Sequence, residues 1–312
     1  MKRVLITGGA GYIGSTLAEH LLDNGYQVTV LDNLMYKQTS LLHLFKRQKF
    51  KFVLGDVRDK EKLQQLVREH DTIIPLAAIV GMPACKANPE LAIQVNYEHI
   101  KNVVDVLEHS QQLIIPNTNS QYGSSDSIIT EESPFNPLSL YAQTKCDAEE
   151  YVLKHGNGVV LRLATVFGVS PRMRQDLLVN DFVYKAVTDG YLVLFEAHFK
   201  RNYIHVQDIA NTFKFMIENY GVCKGEVYNV GLSSANLSKL ELAERIKDYV
   251  PNLVIKQDEF KEDFDKRNYI VSNEKLEKLG WLPEFSLDYG IKQLKDAYQM
   301  CIIHNNRNFT NL

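Results

Sequence analysis

Eight residues near the start of the chain, Thr7-Gly8-Gly9-Ala10-Gly11-Tyr12-Ile13-Gly14, constrain its fold more than any other stretch. Arg3-Val4-Leu5-Ile6-Thr7 predicts a fully buried parallel strand, and Ser15 to Asn24 predicts the helix that follows. A glycine loop at that junction brings backbone N–H groups and a helix N-terminus close to a pyrophosphate. A β-carbon there would collide with the ligand or forbid the turn. Gly8, Gly11, Tyr12, Ile13 and Gly14 are therefore the expected phosphate cradle.

A second buried run, Gln27-Val28-Thr29-Val30-Leu31, ends in Asp32. A carboxylate at that strand tip, roughly 20 residues past the glycines, is placed to accept from a ribose 2′-OH. It would repel a 2′-phosphate, and no arginine follows it directly, so the pattern favours NAD over NADP.

The 312 residues, 45% of them hydrophobic, suffice for a large core in one elaborate domain or two closely joined ones. The formal net charge of −3 carries no basic excess, so nucleic acid is not an expected partner. No apolar run reaches membrane-spanning length. The chain enters its first strand at once, which leaves no room for a signal peptide, and a cytoplasmic location is expected. Cys85, Cys146, Cys223 and Cys301 are scattered, which predicts reduced thiols and no metal site.

The first half alternates strands and helices. Strands are predicted over 50–56, 71–78, 113–116 and 159–163, and helices over 59–70, 91–109 and 140–155. That order means an α/β fold, a Rossmann-type doubly wound parallel sheet. The rhythm changes after Gly168. Residues 1–167 are expected to form the dinucleotide-binding domain, with part of 202–222 returning to it. Residues 168–201 and 223–303 are expected to form a smaller mixed α/β substrate-binding cap, followed by a frayed tail over 304–312.

Tyr141-Ala142-Gln143-Thr144-Lys145 puts a phenol and an ammonium on one helix face, a turn apart. A free tyrosine titrates at about 10. A neighbouring Lys⁺, helped by oxidised nicotinamide, favours the phenolate and pulls that value toward neutrality. Such a tyrosine takes a hydroxyl proton while hydride leaves the same carbon. A third member belongs at the end of the fifth strand, where Thr118 or Ser120 offers a hydroxyl.

Taken together, the chain resembles the extended short-chain dehydrogenase/reductases that act on nucleotide sugars: epimerases, dehydratases and 4-dehydrogenases. The resemblance covers nearly the whole chain. It rests on the glycine loop, Asp32-Asn33-Leu34, Gly55-Asp56-Val57, Leu76-Ala77-Ala78, Asn96, Tyr122-Gly123, Tyr141-x-x-x-Lys145, the run from Arg201 to Asp208, the run from Val227 to Gly231, and Leu279-Gly280-Trp281-Leu282-Pro283. It implies that Thr118 is the catalytic hydroxyl beside Tyr141 and Lys145. It further implies that Asn33, Asp56, Val57, Leu76, Ala77, Ala78 and Asn96 line the cofactor. Arg201 and Arg267 would hold the substrate diphosphate with Asn180 nearby, and Asn119, Ser120 and Arg174 would line the sugar. Arginine suits a diphosphate because it makes bidentate charge-assisted bonds. A homodimer through the helices that carry Asn96 and Tyr141 is the family habit.

Several positions depart from the family pattern. Pro75 replaces a usual His, and Leu163-Ala164-Thr165 replaces an aromatic-Phe-Asn run. Asn119 and Ser120 stand where 4,6-dehydratases carry Asp-Glu, and neither is a general acid near neutral pH. Dehydration is therefore not expected. A C4 epimerase and a C4 dehydrogenase remain. Whole-chain resemblance favours the dehydrogenases of a GDP-linked heptose in bacterial surface polysaccharide (capsule) synthesis, with a keto acid such as 2-oxoglutarate as hydride acceptor. The rival of another class is a non-catalytic NAD(H) sensor, against which stand the intact Thr118, Tyr141 and Lys145.

Overall fold

Seven short runs rich in aliphatic residues line up as one parallel sheet. They are β1 (Arg3–Thr7), β2 (Gln27–Asp32), β3 (Phe50–Leu54), β4 (Thr72–Pro75), β5 (Gln112–Thr118), β6 (Gly158–Leu163) and β7 (Val227–Val230). Their order across the sheet is β7-β6-β5-β4-β1-β2-β3. The computed structural model describes residues 2–155, 158–258 and 267–302. The expected tail over 304–312 lies outside them.

Alternation along the strands sends side chains to both faces. Val4, Ile6, Val28, Val30, Ile74, Val159 and Leu161 join one core, packed under the helices Tyr12–Asp23 and Val206–Glu218. Leu5, Leu31, Ile73, Leu113, Ile115 and Val160 join the other, under Lys60–Arg68, His99–Val104 and Leu140–Lys154. Both faces are dry, which is why these strands read as continuous apolar runs. Fully burying one such side chain stabilises by about 1.5–3 kcal/mol.

The chain runs outward from β1 to β3, then crosses back to place β4 on the other flank of β1. The loops after β1 and β4 therefore face each other, the position where open parallel sheets bind ligands.

Three expectations change. The run Val227–Val230 was expected in the cap but pairs with β6 at the edge of the main sheet. The single helix expected over 91–109 is Pro89–Ile93, a π-turn over Gln94–Glu98, and His99–Val104. The first helix begins at Tyr12, inside the glycine motif, rather than at Ser15.

Beyond the main sheet, Lys200–His205 pairs parallel with Thr165–Phe167 and antiparallel with Asn236–Ser238. Tyr191–Phe195 pairs with Val254–Asp258, and Ser124–Ile129 with Asn268–Val271. The helices Leu178–Thr188, Lys239–Lys247 and Leu287–Ile302 complete this region. Ser238 and Glu241 close a reciprocal capping box on the second of them. No helix among the described residues is long and apolar enough to cross a membrane.

The fully buried Asp208 ties the turn that leads into the helix Leu287–Ile302 to the helix Val206–Glu218. Its two oxygens accept from the backbone N–H groups of Glu284 (2.8 Å) and Phe285 (3.1 Å). Burial is the dominant influence and pushes its carboxyl up to about 6. A carboxyl raised above its unfolded value stabilises most when protonated, so its contribution is full below about pH 4 and fades as pH rises through 6. The difference amounts to about 3 kcal/mol. In urea unfolding between pH 4 and 6, wild type should therefore lose stability relative to Asp208→Asn as pH rises; parallel curves would refute this.

Candidate active site

At the end of β1, Gly8 turns the chain with φ of +67°, and its N–H donates to Leu31 O (2.8 Å). A β-carbon on Gly8 would lie 2.6 Å from Ala77 N and Cα, and one on Gly14 would lie 2.6 Å from Gly9 Cα. Both positions therefore require glycine. The helix Tyr12–Asp23 starts from Gly11 without a side-chain cap, so its first N–H groups and positive dipole end suit an anion.

Asp32 is buried beside this loop. Its Oδ2 accepts from Ala10 N (3.0 Å), and its Oδ1 accepts from Leu34 N (2.8 Å) and Gln38 Nε2 (3.4 Å). Burial pushes its carboxyl up, and the two backbone N–H groups pull it back. Leu34 holds a left-handed φ of +52°, a strained conformation of the kind that clusters at ligand clamps. Asn33 Nδ2 donates to Asp56 Oδ2 (3.0 Å), and Arg58 forks the same carboxylate with two bonds of 2.9 Å. Arg58 is the main reason the Asp56 carboxyl is held far below the usual range. Val57 is buried next to it. A glycine cradle, a buried acid at the second strand tip and an uncapped helix start fit a dinucleotide.

The opposite wall is Leu76, Ala77 and Ala78, all half-buried. Thr7 Oγ1 accepts from Ala77 N (3.5 Å) and lies 3.2 Å from His99 Nε2, whose ring burial pushes down to about 4. Asn96 was expected to line the cofactor. Its Oδ1 accepts from Ile79 N (2.8 Å), and its Nδ2 donates to Ile79 O (3.1 Å) and Thr144 Oγ1 (3.3 Å). It thus braces the wall against the helix of Tyr141.

Thr118, Tyr141 and Lys145 come together at the end of β5. Ser120 N donates to Thr118 Oγ1 (3.1 Å), which in turn donates to Ser120 Oγ (3.0 Å). Thr118 is among the groups that pull the Tyr141 phenol down, which places its hydroxyl beside that phenol. Lys145 Nζ donates to Pro116 O (3.0 Å). The expected tuning of Tyr141 by Lys145 needs correction. Burial dominates both groups, pushing the phenol up to about 12 and the lysine down to about 8. The groups that pull the phenol down are Arg267, Arg174 and Thr118.

Among the expected substrate residues, Arg267 Nη1 donates to Ser120 Oγ, which brings its charge to the Thr118–Tyr141 pair. Arg174 is forked on Asp176 at 2.7 and 2.5 Å. Asn180 is buried, with Oδ1 accepting from Gly168 N (3.0 Å) and Nδ2 donating to Arg174 O (2.8 Å) and Tyr12 Oη (3.3 Å). It holds the loop that carries Arg174. Arg201 is buried, with Nη1 on Lys200 O (2.9 Å) and its guanidinium 5.6 Å from the Tyr269 ring centre. Asn119 is buried, and neither of its amide atoms has a hydrogen-bond partner among the described residues.

Sequence reasoning missed the polar cluster behind these residues, built from Asn117, Glu149 and Arg162. One signal was available. Glu149 follows Lys145 by one more turn, so Tyr141, Lys145 and Glu149 share a helix face.

Residues 4–231 match the NAD dependent epimerase/dehydratase family. The chain is similar to the low-salt glycan biosynthesis protein Agl12 of Haloferax volcanii, 30% identical over 95% of this chain and 98% of the relative. It is also similar to CDP-paratose 2-epimerase of Salmonella typhi, 25% identical over 94% and 98%. The crystal structure of dTDP-glucose 4,6-dehydratase DesIV from Streptomyces venezuelae with NAD superposes with a TM-score of 0.83, 26% identity and 99% of each chain covered. The chain is thus a member of the NAD-dependent epimerase/dehydratase family, enzymes of nucleotide sugars, and its cofactor is NAD.

Proposed function

We propose that the protein oxidises C4 of a nucleotide-diphospho-sugar and releases the ketone. The substrate we assign is GDP-D-glycero-α-D-manno-heptose, and the setting is bacterial surface polysaccharide synthesis. The observation that carries the reaction type is the meeting of the Thr118 hydroxyl with the Tyr141 phenol, while Asn119 and Ser120 beside them offer no general acid. Whole-chain resemblance supports the GDP-heptose assignment.

NAD, when bound, supplies the hydride acceptor. Thr118 holds the C4 hydroxyl, and Tyr141 Oη takes its proton. Lys145, fixed on Pro116 O, presents its ammonium to the cofactor ribose. Arg267 and Arg174 lower the cost of charge on the phenol, and their guanidinium groups suit the sugar diphosphate. The segment 171–180, stitched together by Asn180, selects the sugar. Electrons leave to a small keto acid, with 2-oxoglutarate as the proposed acceptor. Two copies associate through the helices that carry Asn96 and Tyr141, where Ile93 is exposed.

Mass spectrometry of products from a panel of nucleotide sugars, with and without 2-oxoglutarate, tests the assignment. Ketone that accumulates over many turnovers only with the acceptor is expected. A C4 epimer formed without it would make the enzyme an epimerase, and NAD binding without turnover of any sugar would make it a sensor. Tyr141→Phe should lower turnover by at least ~100-fold. Arg267→Met removes a cation from the phenol, so the alkaline rise of kcat should move to higher pH. Gly8→Ala should weaken NAD binding by at least ~10-fold, read by calorimetry, because its β-carbon meets the Ala77 backbone.

A further inference from the structure

Asn117 precedes Thr118 on β5 and is buried. Its Oδ1 accepts from Thr118 N (3.0 Å), and its Nδ2 donates to Lys145 O (3.1 Å) and Glu149 Oε2 (2.6 Å). One amide therefore grips the backbone at both Thr118 and Lys145.

The carboxylate behind it is fully buried and crowded with donors. Glu149 Oε2 also accepts from Gln121 Nε2 (3.1 Å), and Oε1 accepts from Arg162 Nε (3.1 Å) and Nη2 (2.5 Å). Arg162 Nη1 donates to Tyr122 Oη (2.6 Å) and Glu131 O (2.9 Å), and Tyr122 Oη donates to Asn229 Oδ1 (2.7 Å). The guanidinium also sits 5.2 Å from the Tyr122 ring centre and 4.8 Å from that of Phe135. The cluster spans β5, β6, β7 and the Leu140–Lys154 helix. A buried ion pair adds little stability over apolar side chains of similar volume. Its geometry, however, admits one register, because a one-residue slip would strand several buried donors.

We propose that Asn117, seated by the Glu149–Arg162 pair, is the positioning residue that sets Thr118 against Tyr141 and Lys145. The inference rests on the reading of those three as the reacting groups. Asn117 touches no reacting atom. It fixes the separation of the strand and the helix that carry them, and an error of about 1 Å there costs on the order of 100-fold in rate.

Asn117→Ala leaves the Glu149–Arg162 pair in place and cuts both grips. Turnover should fall by at least ~10-fold, with KM for the nucleotide sugar and NAD affinity within about 2-fold of wild type. The alkaline rise of kcat should also move to higher pH, because Thr118, one of the groups that pull the phenol down, is no longer held in place. The double variant Glu149→Leu with Arg162→Met removes both charges together and should show the same pattern.

A substrate-independent readout separates this inference from the assigned reaction. With NAD bound, the phenolate difference spectrum between each variant and its Tyr141→Phe counterpart follows the Tyr141 titration directly. An upward shift supports positioning even if no tested sugar turns over. Folded variants with unchanged kcat and unchanged titration overturn the proposal. Loss of fold in both variants also overturns it, since the cluster would then be a stability element.

Discussion

The backbone of Gly8 runs so close to that of Ala77 that a single added carbon would sit at 2.6 Å. That contact joins the end of β1 to the loop after β4, the two strands between which the winding of the sheet reverses. The uncapped start of the Tyr12–Asp23 helix and the seat of Asp32 against Ala10 N are both arranged from this junction. Because all seven strands are parallel, the ends of β1, β2, β4 and β5 open on the same edge. Thr118 therefore stands above the same crevice as the glycines.

Charge near Thr118 is governed by dryness. Tyr141 and Lys145 are each pushed toward the neutral form by burial. A phenolate–ammonium pair in such a place needs help from outside the pair, and Arg267 and Arg174 are the protein's own contributors. Arg267 reaches the site from the chain beyond residue 266, through Ser120 Oγ. The charge environment of the Tyr141 phenol thus includes a cation from a segment distant in sequence.

The phosphate loop and the 168–180 segment are one mechanical unit. Tyr12 Oη donates to Gly168 O (2.7 Å), Ser170 Oγ donates to Tyr12 O (2.7 Å), and Asn180 closes the ring through Gly168 N and Arg174 O. Movement of the cradle would carry the proposed sugar-selecting loop with it.

Much of this was legible without coordinates. The aliphatic runs, the glycines and Asp32 specify a parallel sheet with a dinucleotide crevice, because strand burial, tight turns and acid placement are local in origin. Tyr141 and Lys145 were legible for the same reason, since helical spacing alone puts them on one face. Other features depend on partners far along the chain. Val227–Val230 is too short and too late to be assigned to the main sheet until β6 offers its edge. In the π-turn around Asn96, the amide is bonded to Ile79 and Thr144, neighbours that the local sequence does not reveal. Asn180, read from the sequence as lying near the substrate diphosphate, also bonds Gly168 N and Arg174 O, which the sequence does not show. By itself the sequence determined the sheet, the glycine turn and the placing of Tyr141 and Lys145, the proposed reacting pair, on one helix face. Only the tertiary structure decided which polar residues are spent on holding the frame, because hydrogen bonds and desolvation are set by neighbours brought together in space.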